Sequence, residues 1–212
     1  MKSGGIKPQD IKVDLHCHSI EGSPRDAKYT VDELARFYSK ALGFKYMVLT
    51  NHCWKKDPSW LAQTAAAVEQ VKLNNPDFGI INGLELNIMD TGEIEIPEDI
   101  EDSQFNIASI HQRPHAPDKN VTQRLIRALE NPYIDVIGHP GIYYEDYQDG
   151  IDWYLLAEIA KQLEKAIEIT IYELLPTLDD PSYLGRSAEA VYILKPNILR
   201  AFAERLSCFR AL

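Results

Sequence analysis

The sequence predicts an α/β protein built on a parallel β-sheet, either a barrel or a doubly wound sheet. Short apolar runs rich in β-branched residues alternate with helical patterns up to about residue 170. Repeated strand and helix units of this kind place consecutive strands parallel to one another. With 212 residues, the chain is long enough to bury about 70% of its unfolded surface in one core. We therefore expect a single domain over residues 11–212, after a disordered lead-in at residues 1–10.

The strands and helices are predicted from the period of the apolar residues. Six segments have the length and composition of strands: residues 12–16, 45–52, 78–86, 105–111, 133–139 and 165–170. Four segments between them have the 3.6-residue period of amphipathic helices: residues 30–43, 58–74, 121–130 and 151–165. The first helix has the clearest start, because Thr30 is a favourable N-cap and Glu33 completes a capping box.

Histidines and one glutamate mark the ends of five of these strands. Each of the first five predicted strands has such residues at or just past its C-terminal end, and the first strand has two of them. They are His16, His18, His52, Glu85, His111 and His139. Residues two apart in a strand point the same way, so the first two imidazoles leave the sheet side by side. In a parallel β/α architecture this end of the sheet is where sites are built. Five of the six histidines occupy such positions, which predicts a site for more than one metal ion.

The predicted donor set also indicates which metals and which chemistry to expect. Imidazoles with a few carboxylates suit Zn, Mn or Fe and disfavour Ca or Mg. A carboxylate such as Glu85 can bridge two cations, and a pair of cations can activate water while holding the oxygens of a substrate. Hydrolysis of a phosphate ester is the reaction that this arrangement serves best.

The amino-acid composition indicates which classes of binding partner are unfavourable. The formal net charge is −10, from 32 acidic and 22 basic residues, without a dense Lys/Arg block, which disfavours long nucleic acid. A small anionic substrate stays open, since bound cations can reverse the local field. No apolar stretch is long enough to span a membrane, and the N-terminus lacks the apolar core of a signal peptide. Three cysteines without C-x-x-C spacing indicate reduced thiols in a cytoplasmic protein.

Six short motifs together resemble those of a known family. The segments DLHCHS, LTNH, NGLELNI, IASIH, VIGHP and AIEIT, in this order, are similar to the successive motifs of the PHP (polymerase and histidinol phosphatase) domain family. The stretch RLIRALENPYIDVIGHP resembles in particular the PHP domain of bacterial family X DNA polymerases and its free-standing relatives. The resemblance implies a distorted TIM-like barrel of seven β/α units and a cluster of up to three metals that cleaves phosphoesters.

The resemblance also implies which residues hold the metals. His16 and His18 would bind one ion, Glu85 would bridge it to a second, and His111 and His139 would complete the second. A third ion would be held by His52 together with Asp26, which lies just before the first helix.

Two departures from the family pattern affect this assignment. Relatives usually have an aspartate where this chain has Asn51, so an outer carboxylate has become an amide. The family closes its barrel with a strand ending in D-x-H, whereas this chain has no histidine after Thr170. The barrel is therefore expected to be incomplete or rearranged at its C-terminus, and the third metal site to be depleted. We expect two divalent transition-metal ions, with a third only if the depleted site still binds.

The leading functional prediction is a metal-dependent phosphoesterase that hydrolyses a small, histidinol-phosphatase-like phosphorylated substrate through a metal-activated water. In the loop after His111, Arg113 is the candidate clamp for the phosphate charge and His115 the candidate proton donor. Two alternatives stay open: a 3′-5′ exonuclease-type phosphodiesterase, and a catalytically degenerate PHP domain that serves as a binding or regulatory module. A metal-dependent amidohydrolase ranks below these, since the sequence offers no convincing metal-bridging lysine. The oligomeric state stays open.

Overall fold

The computed structural model describes residues 13–53, 59–98, 100–111, 120–140 and 150–168, except for the side chains of 59–61. This part of the chain is an α/β structure with one parallel sheet. Its six strands are β1 (Val13–Cys17), β2 (Tyr46–Cys53), β3 (Gly79–Asn87), β4 (Asn106–Ser109), β5 (Val136–Ile137) and β6 (Ala166–Ile167). They pair in sequence order and curl into a half-barrel. The α/β prediction is confirmed and a partial TIM-like barrel is compatible with the sheet, while the count of seven units stays a prediction.

The helices follow the predicted positions closely. They are α1 (Val31–Arg36), α2 (Ser59–Asn74), α3 (Val121–Leu129) and α4 (Trp153–Gln162). Helix α1 continues as a π-helical turn over Phe37–Ala41, and a short 3₁₀ turn spans Ile100–Asp102. The capping box is present, because the Thr30 hydroxyl accepts from the Glu33 backbone N–H and the Glu33 carboxylate accepts from the Thr30 N–H. No helix among the described ranges is long and apolar enough to cross a bilayer.

The strands divide their side chains between two faces. The outer face is the one that the helices cover, and it carries apolar side chains in alternate positions. Near α1 and α2 it forms one buried cluster, which includes Cys17, Val31, Leu34, Met47, Leu49, Val68 and Ile80. Near α3 and α4 it forms a second one, which includes Leu84, Leu86, Ala108, Leu125, Ile137, Leu156 and Ile167. These two clusters hold the sheet and fix the positions of the residues between them.

The inner face, which points away from the helices, carries buried polar side chains together with apolar ones such as Val48 and Ile107. Alternation places on it His16, Thr50, His52, Glu85, Ser109 and Glu168. His139 would follow Ile137 onto the outer face if the alternation continued past β5. Its backbone instead has a positive φ of 25°, a conformation uncommon outside glycine, and its ring contacts Glu85. The end of β5 therefore delivers a histidine to the inner face by a turn.

Several predicted features lie outside the described residues. These are the lead-in at residues 1–10, the loop that carries Arg113 and His115, and the altered C-terminal segment after Thr170. The single-domain prediction for residues 11–212 likewise extends beyond the described part of the chain.

Candidate metal centre

One buried carboxylate, Glu85, is the centre of the polar cluster. Its side chain has no exposed area, and its Oε2 atom is approached by three histidines. The distances are 2.8 Å to His52 Nδ1, 3.3 Å to His16 Nε2 and 3.5 Å to His18 Nε2. Register explains part of this meeting, since His52 and Glu85 are direct partners across β2 and β3.

The other oxygen of Glu85 faces two further histidines. Its Oε1 atom lies 3.0 Å from His111 Nε2 and 3.0 Å from His139 Nε2. The two rings come from the strand ends after β4 and β5. Five imidazoles, from the C-terminal ends of β1, β2, β4 and β5, therefore surround a single carboxylate of β3, with each oxygen facing a different set. The predicted strand-end residues are thus brought together in space.

Asp26, the remaining predicted ligand, lies at the edge of this cluster. Its Oδ2 atom is 3.7 Å from His52 Nε2, and its side chain is 39% exposed, whereas that of His52 is only 10% exposed. Asp26 is therefore the outermost group and the one nearest to solvent. The roles of all seven predicted ligands stay predictions, as do those of Arg113 and His115, which lie outside the described residues.

Two carboxylates that sequence reasoning missed hold His16 in place. Glu168 Oε2 lies 2.9 Å from His16 Nδ1, and Asp14 Oδ1 accepts the His16 backbone N–H at 3.0 Å. The second oxygen of Asp14 accepts a hydrogen bond from the Tyr38 hydroxyl. A signal for Glu168 was present, because it comes at the end of the sixth strand as the predicted ligands come at the ends of the other five. Alternation did not indicate Asp14, since the register of β1 shifts between Asp14 and Cys17 and pairs Asp14 with Met47 of the outer face.

Asn51 occupies the position where the family pattern has an aspartate, and its hydrogen bonds explain why an amide side chain suits this position. Its Oδ1 accepts the Ser19 backbone N–H at 2.8 Å, while its Nδ2 donates to Ser19 Oγ at 3.2 Å and to Thr64 Oγ1 at 3.3 Å. A carboxylate could accept but not donate here. The side chain therefore fastens the loop after β1 to α2.

Burial and charge act in opposite directions on the pKa values of the cluster. Burial would raise the pKa of Glu85, but the positive field of the histidines holds it well below its usual range. Burial would lower the pKa of His16 and His139, but the charges of Glu168 and Glu85 raise that of His16 well above its usual range, and bonding to Glu85 raises that of His139 to about 8. At His18 the effect of burial is larger than that of the Glu85 charge, so the pKa of His18 lies well below its usual range.

The geometry of the cluster suits divalent metal ions. Metal bonds of about 2.0 to 2.1 Å at 90° to 110° place neighbouring ligand atoms about 2.9 to 3.4 Å apart. The histidine nitrogens lie 2.8 to 3.5 Å from the oxygens of Glu85. In addition, neutral His16 that donates its Nδ1–H to Glu168 turns a bare Nε2 lone pair toward Glu85 Oε2. Two such lone pairs repel unless a proton or a cation lies between them, so the donor set fits.

Among the residues that the structure describes, three groups of three have ligand atoms close enough to share one ion. They are His16 with His18 and Glu85, His52 with Glu85 and His111, and His16 with His139 and Glu168. The first group matches the first metal that the family pattern implies. In the second, His52 joins Glu85 and His111 in place of His139, so the predicted division of ligands between ions is not the only one the geometry permits.

Comparison with known proteins supports the resemblance. No family model matches the chain. The chain is 30% identical over 173 residues to the DNA polymerase/3′-5′ exonuclease PolX of Bacillus subtilis, covering 77% of this chain and 30% of that protein. It is 43% identical over 166 residues to a probable phosphatase of Caldanaerobacter subterraneus, covering 75% of this chain and 62% of that protein. A probable phosphatase of a Thermoanaerobacter species is 34% identical, covering 75% of this chain and 64% of that protein.

The chain thus spans about a third of the polymerase and somewhat less than two thirds of the two probable phosphatases. The names of these relatives and the ordered motifs together support a phosphoesterase family of the PHP type.

Proposed function

We propose that this protein is a metal-dependent phosphoesterase of the PHP type that hydrolyses a small phosphorylated substrate, as histidinol phosphatases do. One observation carries the proposal: five imidazoles surround both oxygens of the buried Glu85 at 2.8 to 3.5 Å. Purely structural histidines have no reason to converge on one carboxylate, because burying several ionisable groups together is unfavourable unless they are paired or bind a metal. The probable phosphatases among its relatives support the same class of reaction.

Divalent Zn, Mn or Fe, when bound, supplies the positive charge that holds phosphate oxygens and the acidity that makes water a nucleophile near neutral pH. Glu85 would serve as the bridging ligand, since its two oxygens face separate sets of histidines. We propose two ions per chain, with His16 and His18 on one side and His111 and His139 on the other.

Exposure indicates the side from which a substrate approaches. The side chains of His16 and Glu85 have no exposed area, whereas those of His18 and His52 are each 10% exposed and that of Asp26 is 39% exposed. A phosphate group therefore reaches the cluster past Asp26, His52 and His18. Small exposed fractions favour a terminal phosphate on a small molecule over a long polymer. We further propose that Arg113 binds the charged oxygens of the phosphate group and that His115 donates a proton.

A 3′-5′ exonuclease-type phosphodiesterase is the second candidate. It is favoured by the similarity to the polymerase and exonuclease of Bacillus subtilis over 77% of this chain. A strand end needs only a few phosphate contacts, so the net charge of −10 does not exclude it. A catalytically degenerate domain that acts as a binding or regulatory module is the third, and it is favoured by the absence of histidine after Thr170.

We propose that the protein is cytoplasmic, because its three cysteines lack C-x-x-C spacing and Cys17 is buried and forms no disulfide.

Hydrolysis of three substrates separates these candidates. Protein reconstituted with Zn or Mn would be assayed on p-nitrophenyl phosphate, on bis(p-nitrophenyl) phosphate and on end-labelled single-stranded DNA. The proposal expects the monoester to be cleaved best, with the activity abolished by a chelator and restored by metal. The matched control is Glu158→Gln, which removes an exposed carboxylate on α4, beside Glu85→Gln. Cleavage of DNA alone would favour the exonuclease, and bound metal without any turnover would favour the degenerate module.

A further inference from the structure

Glu168 is a buried carboxylate that is not among the predicted metal ligands. It follows β6, its side chain has no exposed area, and its neighbours come from distant parts of the chain. Oε2 is 2.9 Å from Nδ1 of His16 and accepts the backbone N–H of His139 at 3.0 Å. One oxygen therefore holds two of the histidines that face Glu85.

The contact with His16 decides which ring nitrogen is free. A carboxylate can only accept, so the nitrogen that faces Glu168 carries the hydrogen, and in a neutral ring the other nitrogen then has a lone pair. That other nitrogen, Nε2, is the one that faces Glu85 at 3.3 Å. A metal-binding histidine commonly donates its second N–H to a carboxylate, which fixes the ring and makes it more basic. Glu168 is placed to give His16 this orientation.

The contact with His139 acts on the backbone. His139 has a φ of 25°, and the preceding Gly138 has no room for a side chain, because an added Cβ would lie 2.1 Å from Ser109 Oγ and 3.2 Å from Glu168 Oε2. A residue with positive φ persists when its surroundings hold it. The hydrogen bond from the His139 N–H to Glu168 holds this turn, and the turn brings the ring to Glu85.

The contact with His16 also joins the first and the last strand that the structure describes. His16 belongs to β1 and Glu168 follows β6, and these strands are the two outermost of the six-stranded sheet in the described part of the chain. We propose that Glu168 is a positioning residue of the metal centre, which sets the free nitrogen of His16 and the turn at His139. This inference rests on the proposed function, since it presupposes that the cluster binds metal.

Two substitutions at this position test the inference through zinc binding. Glu168→Gln keeps an oxygen that can accept both hydrogen bonds, whereas Glu168→Leu removes both. Zinc alone would be titrated into each metal-free protein by calorimetry or against a chromophoric chelator. The leucine variant is expected to bind one of its two ions about 10- to 100-fold more weakly, the usual range for outer partners of metal ligands. The glutamine variant is expected to keep both ions, with a loss of no more than about 10-fold. Glu158→Gln serves as the matched control.

The tautomer provides a second readout that a purely structural role would not move. In the zinc-loaded protein, long-range ¹H–¹⁵N spectra should show a hydrogen on His16 Nδ1, and this signal should shift in Glu168→Gln and disappear in Glu168→Leu. If the leucine variant does not fold, as judged by circular dichroism, the glutamine variant decides: two bound ions with the shifted signal support the inference.

Three outcomes would overturn it. Wild-type affinity in a folded leucine variant would show that Glu168 positions nothing. Complete loss of one ion from the glutamine variant would show that Glu168 is itself a ligand. A wild-type protein that binds no zinc would contradict the proposed function itself, and the inference with it, which distinguishes that failure from the first two.

Discussion

The two faces of the curved sheet contrast sharply although they are made by the same strands. On the outer face, Leu84 and Leu86 of β3 pack into an apolar cluster with α3 and α4. Between them on the inner face lies Glu85, buried to the same degree and surrounded by histidines. The alternation of side chains along a strand separates the residues that stabilise the fold from those that carry the chemistry. Neighbouring residues can therefore have opposite roles.

Glu85→Gln should have the largest effect on the inner face. The amide loses the negative charge that both sets of histidines face, so we expect activity to fall by more than about 100-fold, beyond what outer partners of metal ligands contribute. Bound metal should fall with it, and the fold should persist. Elemental analysis, a phosphatase assay and circular dichroism would be compared with Glu158→Gln. Full metal content in Glu85→Gln would break the assignment of the bridge.

His52→Ala sharpens the comparison within the inner face. It removes one of three rings on Oε2 and leaves both rings on Oε1 in place. We therefore expect a smaller loss of activity than in Glu85→Gln, with at least one ion retained per chain. Equal losses in the two variants would mean that His52 belongs to an essential ion rather than to a depleted third one.

Leu86→Ala tests the outer face at the adjacent residue. Its side chain is fully buried in the cluster near α3 and α4, and such a truncation costs about 2 to 5 kcal/mol of the free energy of unfolding. The folded fraction should keep its metal content, because Leu86 points away from the histidines. Urea denaturation and elemental analysis of the same sample would measure both. A selective loss of metal without a change in stability would contradict the separation of the two faces.

The fold was largely predictable, since six strands and four helices lie where the apolar periods place them. The extent of β5 was not, because the Asn131 side chain accepts the Tyr133 N–H and keeps residues 131–133 in a turn, so that the strand begins only at Val136. The turn at His139 was not either, as its positive φ depends on Glu168, 29 residues further along the chain. Strand ends predicted which histidines meet, but not their division between ions, because that depends on ring orientation.

Asn51→Asp tests a polar residue on the outer side of β2. The new carboxylate cannot donate to Ser19 and Thr64, and it would be buried. Leaving buried polar groups without partners costs about 1 to 3 kcal/mol. We expect that loss in the free energy of unfolding, measured in urea, together with little change in metal content. Tighter metal binding at unchanged stability would show instead that the family's aspartate serves the metals directly.

The release of protons on zinc binding is the smallest expected effect, and it measures how many histidines of the inner face are protonated in the metal-free protein. At pH 7 His139, with its pKa raised to about 8, and His16, with its pKa raised well above its usual range, are protonated in the metal-free protein. A metal ligand must give up that proton, so zinc binding should release about one to two protons and strengthen as the pH rises toward 8. His18, with its lowered pKa, contributes none. Calorimetry in buffers of different ionisation enthalpy measures the release, and none at pH 7 would contradict this picture.

The metal content of the wild-type protein tests the central claim most directly. The claim is that the histidines around Glu85 form a metal centre, in which the rings that face its two oxygens bind two ions that share this carboxylate. Elemental analysis by mass spectrometry, after reconstitution with Zn or Mn and removal of free metal, should find about two ions per chain, with Glu158→Gln unchanged. Less than about half an ion per chain in the folded wild-type protein would contradict the claim.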